Sequence, residues 1–397
     1  MTTLNSTRPH TTGFWVVAVT FLLVMAYSTV PTPLYPLYQQ EDGFPVATIT
    51  VIFAAYAVGV VASLFLLGHV SDWMGRRRML VIAVLVSTLS AVLFMVFTHV
   101  AGLLVARVIN GVSIGVLTAT ATAHLSELRA RSRPDENSIV AASVAGGANL
   151  GGLALGPVIG GLFADYLPDP LHLPHTVFAI VLILLAIAVT LVPETVRRSS
   201  RTYRVQRVAV PSASRRSFLV AGFAAFAGFA LFGLFTSLAP SILIGTFDET
   251  GHLTAGLTVF VVFGSAAAAQ VALTPIPRKT QLLFAALACG AGLICIALGA
   301  VLVLFALFLV GGIISGAGVG ALFKSSLAVA GELAEPERRG ETLAAIFLVA
   351  YCGLALPVLA IGAALTVAPQ IAVLLVFVVL VGLVTVIAAL RMRAQAA

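Results

Sequence analysis

The sequence specifies an all-α integral membrane protein, twelve transmembrane helices in two pseudo-symmetric six-helix bundles, and three observations lead to it. Only 9% of the 397 residues are charged, and 60% are hydrophobic. A soluble domain carries about a quarter charged residues because it must solvate its own surface, so most of this surface faces lipid. Apolar runs long enough to cross a bilayer, roughly 20 residues each, recur along the whole chain. The second half of the chain repeats features of the first.

Taken in order, the runs lie near residues 14–36, 46–67, 79–97, 100–126, 138–164, 175–193, 217–245, 252–274, 280–299, 302–330, 341–366 and 369–390. The first follows a short polar lead whose only strongly basic residue is Arg8. It exceeds a signal-peptide core of about 7–15 residues and no clear small-x-small site follows, so an uncleaved first span is expected. The second and third flank a short charged loop. The fourth holds Arg107, the fifth is rich in glycine, and the sixth closes on Pro193-Glu194-Thr195. Asp248 and Glu249 part spans seven and eight, and Arg278 and Lys279 part spans eight and nine. No charge occurs from Gln281 to Phe323, too long for one crossing, and Gly299-Ala300 is taken as the turn between spans nine and ten. Arg338 and Arg339 precede span eleven, and span twelve runs into Arg391 and Arg393. Cys289, Cys295 and Cys352 lie within apolar runs without metal-ligand spacing, so they read as packing residues.

Basic residues orient the spans. With the N-terminus inside, 20 of the 22 Lys and Arg fall on the cytoplasmic side, and only Arg107 and Lys324 lie within spans. Glu41, Asp42, Asp165, Asp169, Asp248 and Glu249 fall in the outer loops. The expected location is the inner (plasma) membrane of a cell, with both termini cytoplasmic. The net charge of +7 is therefore a topology signal and not a nucleic-acid-binding surface.

Residues 197–216 form a long basic, Ser-containing stretch that divides six spans from six. The expected organisation is a first bundle at 1–196, a cytoplasmic linker at 197–216 and a second bundle at 217–397. Asn110–Leu117, NGVSIGVL, matches Ser315–Leu322, SGAGVGAL, and a glutamate follows each, Glu127 and Glu332. Gly151–Pro157, GGLALGP, echoes Cys352–Pro357, CGLALP. Parallel repeats of this kind place a substrate site near the midplane between halves that rock against each other.

The loop between spans two and three reads Gly68-His-Val-Ser-Asp72-Trp-Met-Gly75-Arg76-Arg77-Arg78. It resembles the G-x-x-x-D-x-x-G-R-[RK]-x-[RK] signature of the major facilitator superfamily. Arg107 with Gly111 resembles the R-x-x-x-G motif, and Gly152, Gly156, Pro157, Gly160 and Gly161 fit G-x-x-x-G-P-x-x-G-G. The resemblance covers the whole chain through span count and repeat, with its sharp motifs in the first half. It implies a secondary transporter, and the Gly–Pro run is similar to the feature associated with antiporters. Physically, Gly68 and Gly75 permit a sharp turn. Asp72 can accept from an arginine or from a helix N-terminus of the other half, biasing one conformation. Arg77 and Arg78 can also anchor the loop at anionic headgroups. Gly152, Gly156 and Gly160 form a flat stripe for close helix packing.

Charges inside a membrane cost on the order of 3 kcal/mol on insertion scales. The resemblance implies that Arg107 serves proton coupling or substrate contact. Lys324 is a weaker candidate, and His124, titrating near neutrality when unperturbed, is the candidate proton site. All 15 carboxylates fall in loops or at span ends, whereas many drug/proton antiporters of this superfamily embed one in the first span. Nothing acidic would neutralise a permanently cationic solute. The expected cavity is lined by Tyr27, Thr29, Tyr35, Arg107, Asn110, Thr118, Asn149, Thr236, Ser237, Gln270 and Tyr351, and suits neutral or anionic amphipathic solutes.

The leading expectation is a monomeric, proton-coupled efflux transporter; the alternative is a proton-linked importer or facilitator of a metabolite such as a sugar or organic acid. A membrane-embedded enzyme or sensor is remote, since H-E-x-x-H, G-x-S-x-G, a phosphate-binding loop and an appended soluble domain are lacking. No cofactor or metal is expected.

Overall fold

A computed structural model describes residues 4–134, 136, 139–196, 203, 205, 214–335 and 339–396. Most of the 197–216 linker, and the side chain of Arg8, lie outside the described residues. The α-helices are α1 (Leu4–Thr29), α2 (Tyr35–Asp42), α3 (Val46–Leu67), α4 (Ser71–Met74), α5 (Arg76–Val96), α6 (Val100–Ser132) and α7 (Ile139–Tyr166). They continue as α8 (Leu173–Thr190), α9 (Arg215–Phe247), α10 (His252–Ala272), α11 (Arg278–Val301), α12 (Phe305–Leu333), α13 (Arg339–Ala364) and α14 (Gln370–Gln395). Among the described residues, 12 helical segments are long and apolar enough to cross a membrane.

Two element boundaries differ from expectation. The run at 14–36 is not one helix: α1 stops at Thr29, a 3₁₀ turn covers Thr32–Leu34, and α2 follows. Pro31, Pro33 and Pro36 lack the N–H that would continue the ladder. The turn expected at Gly299-Ala300 instead falls at residues 302–304, where Val303 takes a positive φ of 55°. Gly299 serves packing: a Cβ there would lie 2.5 Å from the Phe308 backbone nitrogen, so α11 and α12 cross in contact.

Glycines in equivalent spans do equivalent work, which is how the sequence repeat becomes two matching bundles. Gly111 of α6 rests on the α3 backbone at Tyr56 and Gly59, and Gly316 of α12 rests on α10 at Val262. Gly152 and Gly156 of α7 press on α1 at Leu22 and Ala26, while Gly353 of α13 presses on α9 at Phe226. In lipid no hydrophobic force separates one apolar face from another, so close backbone approach supplies the cohesion. The glycine stripe expected in span five is therefore the seam with α1. The neighbouring face of α7 meets the other bundle: a Cβ at Gly256 of α10 would lie 2.7 Å from the Pro157 carbonyl carbon.

Candidate functional site

Between the bundles lies a cavity of about 870 Å³. It runs from Ser28, Thr29 and Arg107 at mid-depth to Gly68, His69, Asp72, Ile139 and Gly340 at the face carrying the arginine-rich loop. That face is hereafter the basic face.

Arg107 heads the cavity from α6 and is 1% exposed. Its Nε donates to the Tyr35 hydroxyl at 2.8 Å, Nη2 donates to the same oxygen, and Nη1 donates to the Ser28 carbonyl at 2.7 Å. The rings of Tyr35, Phe94 and Tyr56 surround the guanidinium, their centroids 5.3, 5.6 and 6.0 Å from its carbon. Neutral acceptors and π faces thus solvate the charge. Among the described residues no carboxylate pairs with it. Lys324, nearer the basic face, donates from Nζ to the Gln270 carbonyl and the Thr274 hydroxyl, both at 2.7 Å. The one carboxylate among the lining residues, Asp72, sits at the mouth and pairs with Arg76 at 2.5 Å. The interior is electropositive.

Thr29, Thr118, Asn149, Thr236, Gln270 and Tyr351 also line the cavity. Tyr27, Tyr35, Asn110 and Ser237 do not; they are buried inside the bundles, because residue type alone does not say which way a helix turns a side chain. Tyr35 still touches the site as the acceptor for Arg107. Tyr27 instead bonds a residue with no signal in the sequence: His175 meets the Tyr27 hydroxyl at 3.1 Å through Nδ1 and the Tyr38 hydroxyl at 2.9 Å through Nε2. A neutral imidazole offers one donor and one acceptor, so one tyrosine accepts and the other donates. Phe94 stacks on His175, centroids 5.0 Å apart, and places its ring by the Arg107 guanidinium as well. Also unforeseen are five phenylalanines of the second bundle, Phe229, Phe232, Phe263, Phe323 and Phe347, which form an aromatic wall with the expected Tyr351. Phe232 stacks on Phe263 at 4.2 Å, and Tyr351 meets Tyr56 of the first bundle at 6.3 Å.

The charged loop is clasped to the end of α8. Glu194 accepts the backbone N–H groups of Arg76 at 2.9 Å and Arg77 at 3.1 Å, capping α5. Gly75 makes this possible with φ 103°, and a Cβ there would lie 3.1 Å from the Glu194 carboxyl carbon. Arg76 bonds Glu127 at 3.0 Å and the Ser71 hydroxyl at 2.6 Å. The second bundle repeats the pairing, with Arg278 on Glu332, although its loop signature is otherwise lost. Arg77 reaches the Thr190 carbonyl at 3.2 Å, and Arg78 is exposed. His124 donates from Nε2 to the Pro193 carbonyl at 3.1 Å and does not line the cavity.

The family model described as Major Facilitator Superfamily matches residues 16–356. Multidrug resistance protein 2 of Bacillus subtilis (strain 168) is 24% identical over 135 residues, 34% of this chain and 32% of that protein. Puromycin resistance protein pur8 of Streptomyces alboniger is 30% identical over 155 residues, 39% of this chain and 30% of that protein. The chain thus spans about a third of the length of these curated relatives. The crystal structure of the human organic anion transporter MFSD10 (TETRAN) superposes with a TM-score of 0.70 at 19% identity, covering 96% of this chain and 99% of that one. This likeness is one of fold.

Proposed function

The chain belongs to the Major Facilitator Superfamily and is a membrane transporter, not an enzyme, and from that premise we propose that it exports small amphipathic solutes, anionic ones preferred, by alternating access. The observation that carries this reading is Arg107: a buried guanidinium at the head of an aromatic-walled cavity, with no carboxylate beside it among the described residues. An anion there gains charge-assisted hydrogen bonds in a poorly screened environment. A cation at that depth would meet Arg107 and Lys324, and the one carboxylate among the described lining residues, Asp72, lies away at the mouth, paired with Arg76.

The first bundle supplies Arg107 and the second supplies most of the aromatic wall. A solute touching both holds the bundles together, and this differential contact biases the rocking equilibrium. The basic face is the cytoplasmic one by the charge rule, so both termini are cytoplasmic and the cavity is reached from inside. We assign the bundles to 1–196 and 217–397, with 197–216 as linker, the working unit as a monomer in the plasma membrane, and protons as the exchanged ion. Export is supported by the drug-resistance names of the relatives and by the span-five Gly–Pro motif. Purified protein in liposomes tests the reading. Lipophilic carboxylates and sulfonates move faster than matched dications when the interior-facing cavity is loaded; preference for dications overturns it.

A further inference from the structure

On the face opposite the basic loop, the two bundles meet at a carboxylate. Asp165, in the last turn of α7, reaches across to the start of α10. One of its oxygens accepts the His252 backbone N–H at 3.1 Å and the other accepts that of Leu253 at 2.8 Å. The His252 ring nitrogen Nδ1 lies 2.8 Å from the first oxygen. Helix α10 has no side-chain cap of its own, because Gly251 stands at its N-cap position. It borrows one from the other bundle. A carboxylate there satisfies orphan donors and sits at the positive end of the helix dipole. The side chains of His252 and Asp165 keep 21% and 24% of their exposure, so water reaches the contact and screens it in part. Directly beneath, a Cβ at Gly161 would lie 2.7 Å from the Leu253 Cα, so the two backbones abut as Asp165 bonds.

We propose that Asp165 is the latch that keeps this face of the transporter closed. The contact exists only while the ends of α7 and α10 abut. It must break for the cavity to open on this side, leaving α10 uncapped. The proposal rests on the alternation between faces proposed above and names the residue that sets its balance. In the same conformer Asp72, on the basic face, pairs with Arg76 of its own loop, as expected when that face is open.

Spin-label distance measurements on the full chain test the latch, with Cys289, Cys295 and Cys352 replaced by serine. One label pair, Leu167→Cys with Val367→Cys, reports this face; a second, Arg133→Cys with Arg391→Cys, reports the basic face. Asp165→Ala raises the ratio of open to closed conformers on this face roughly five- to thirty-fold, and shortens the basic-face distance in step. Asp165→Asn keeps the size and one acceptor, and falls between wild type and Asp165→Ala. His252→Gln moves the ratio less than either, because the backbone donors remain. If solute addition switches wild type between two distances while both Asp165 variants match it, the latch is wrong and the alternation stands. A single unvarying distance in every protein, wild type included, removes both.

Discussion

Replacing Arg107 with methionine separates a recognition role from a structural one. The guanidinium makes three hydrogen bonds to two neutral acceptors, Tyr35 Oη and the Ser28 carbonyl. Bonds to a charged group contribute about 1.5–3 kcal/mol each at best, and two of these share one oxygen. Against them stands a desolvation cost of several kcal/mol for a buried ion. The two nearly cancel, so Arg107→Met leaves the unliganded protein within about 2 kcal/mol of wild type. Binding tells the opposite story. Losing one charge-assisted contact to an anion weakens it roughly ten- to a hundredfold. At a ligand concentration about 100 times the wild-type Kd, ligand stabilisation of about 2.7 kcal/mol falls to about 1.4 for a tenfold loss and about 0.4 for a hundredfold loss. Thermal-shift titration with lipophilic carboxylates and sulfonates reads both quantities in one experiment. A large drop in unliganded midpoint with the ligand shift intact would show the arginine to be structural and refute the reasoning.

Three further outcomes follow from other contacts. Gly156→Ala drives a Cβ onto the Ala26 carbonyl and the Thr29 hydroxyl and costs about 1–3 kcal/mol by overpacking; Gly147→Ala, with nothing within 4 Å, shifts the unfolding midpoint little, and equal effects would contradict the seam with α1. Glu194→Gln removes the charge capping α5, worth up to about 1 kcal/mol, so hydrogen exchange at the Arg76 and Arg77 amides quickens up to about fivefold; unchanged exchange would show the clasp to be slack. Lys324→Met weakens anion binding less than Arg107→Met does, since Lys324 is partly exposed near the cavity mouth and its charge is better screened; a larger loss there would move the anion site toward the basic face.

The spans were legible because a bilayer demands long apolar runs whatever the packing. The run at 46–67 coincides with α3, and the repeat motifs landed on equivalent helix seams. Azimuth was not legible. Tyr35 and Thr29 are both polar residues of the same run, yet one faces the bundle interior and the other the cavity, because the 3₁₀ turn at Thr32–Leu34 resets the helical phase between them. His175 carried no local signal: its partners Tyr27 and Tyr38 are 148 and 137 positions away. The aromatic wall was overlooked because phenylalanines in a span read first as lipid-facing or core residues. Gly299 misled for a physical reason, since the glycine that allows a turn also allows two helices to touch.

The central claim is that solute crosses only when the bundles rock. Cysteines at positions 165 and 252, whose native side chains meet at 2.8 Å, join the bundles when oxidised in protein lacking the three native cysteines. In proteoliposomes loaded with a lipophilic carboxylate, the account predicts that oxidation stops flux and reduction restores it. Flux that continues through the oxidised, cross-linked protein would contradict it.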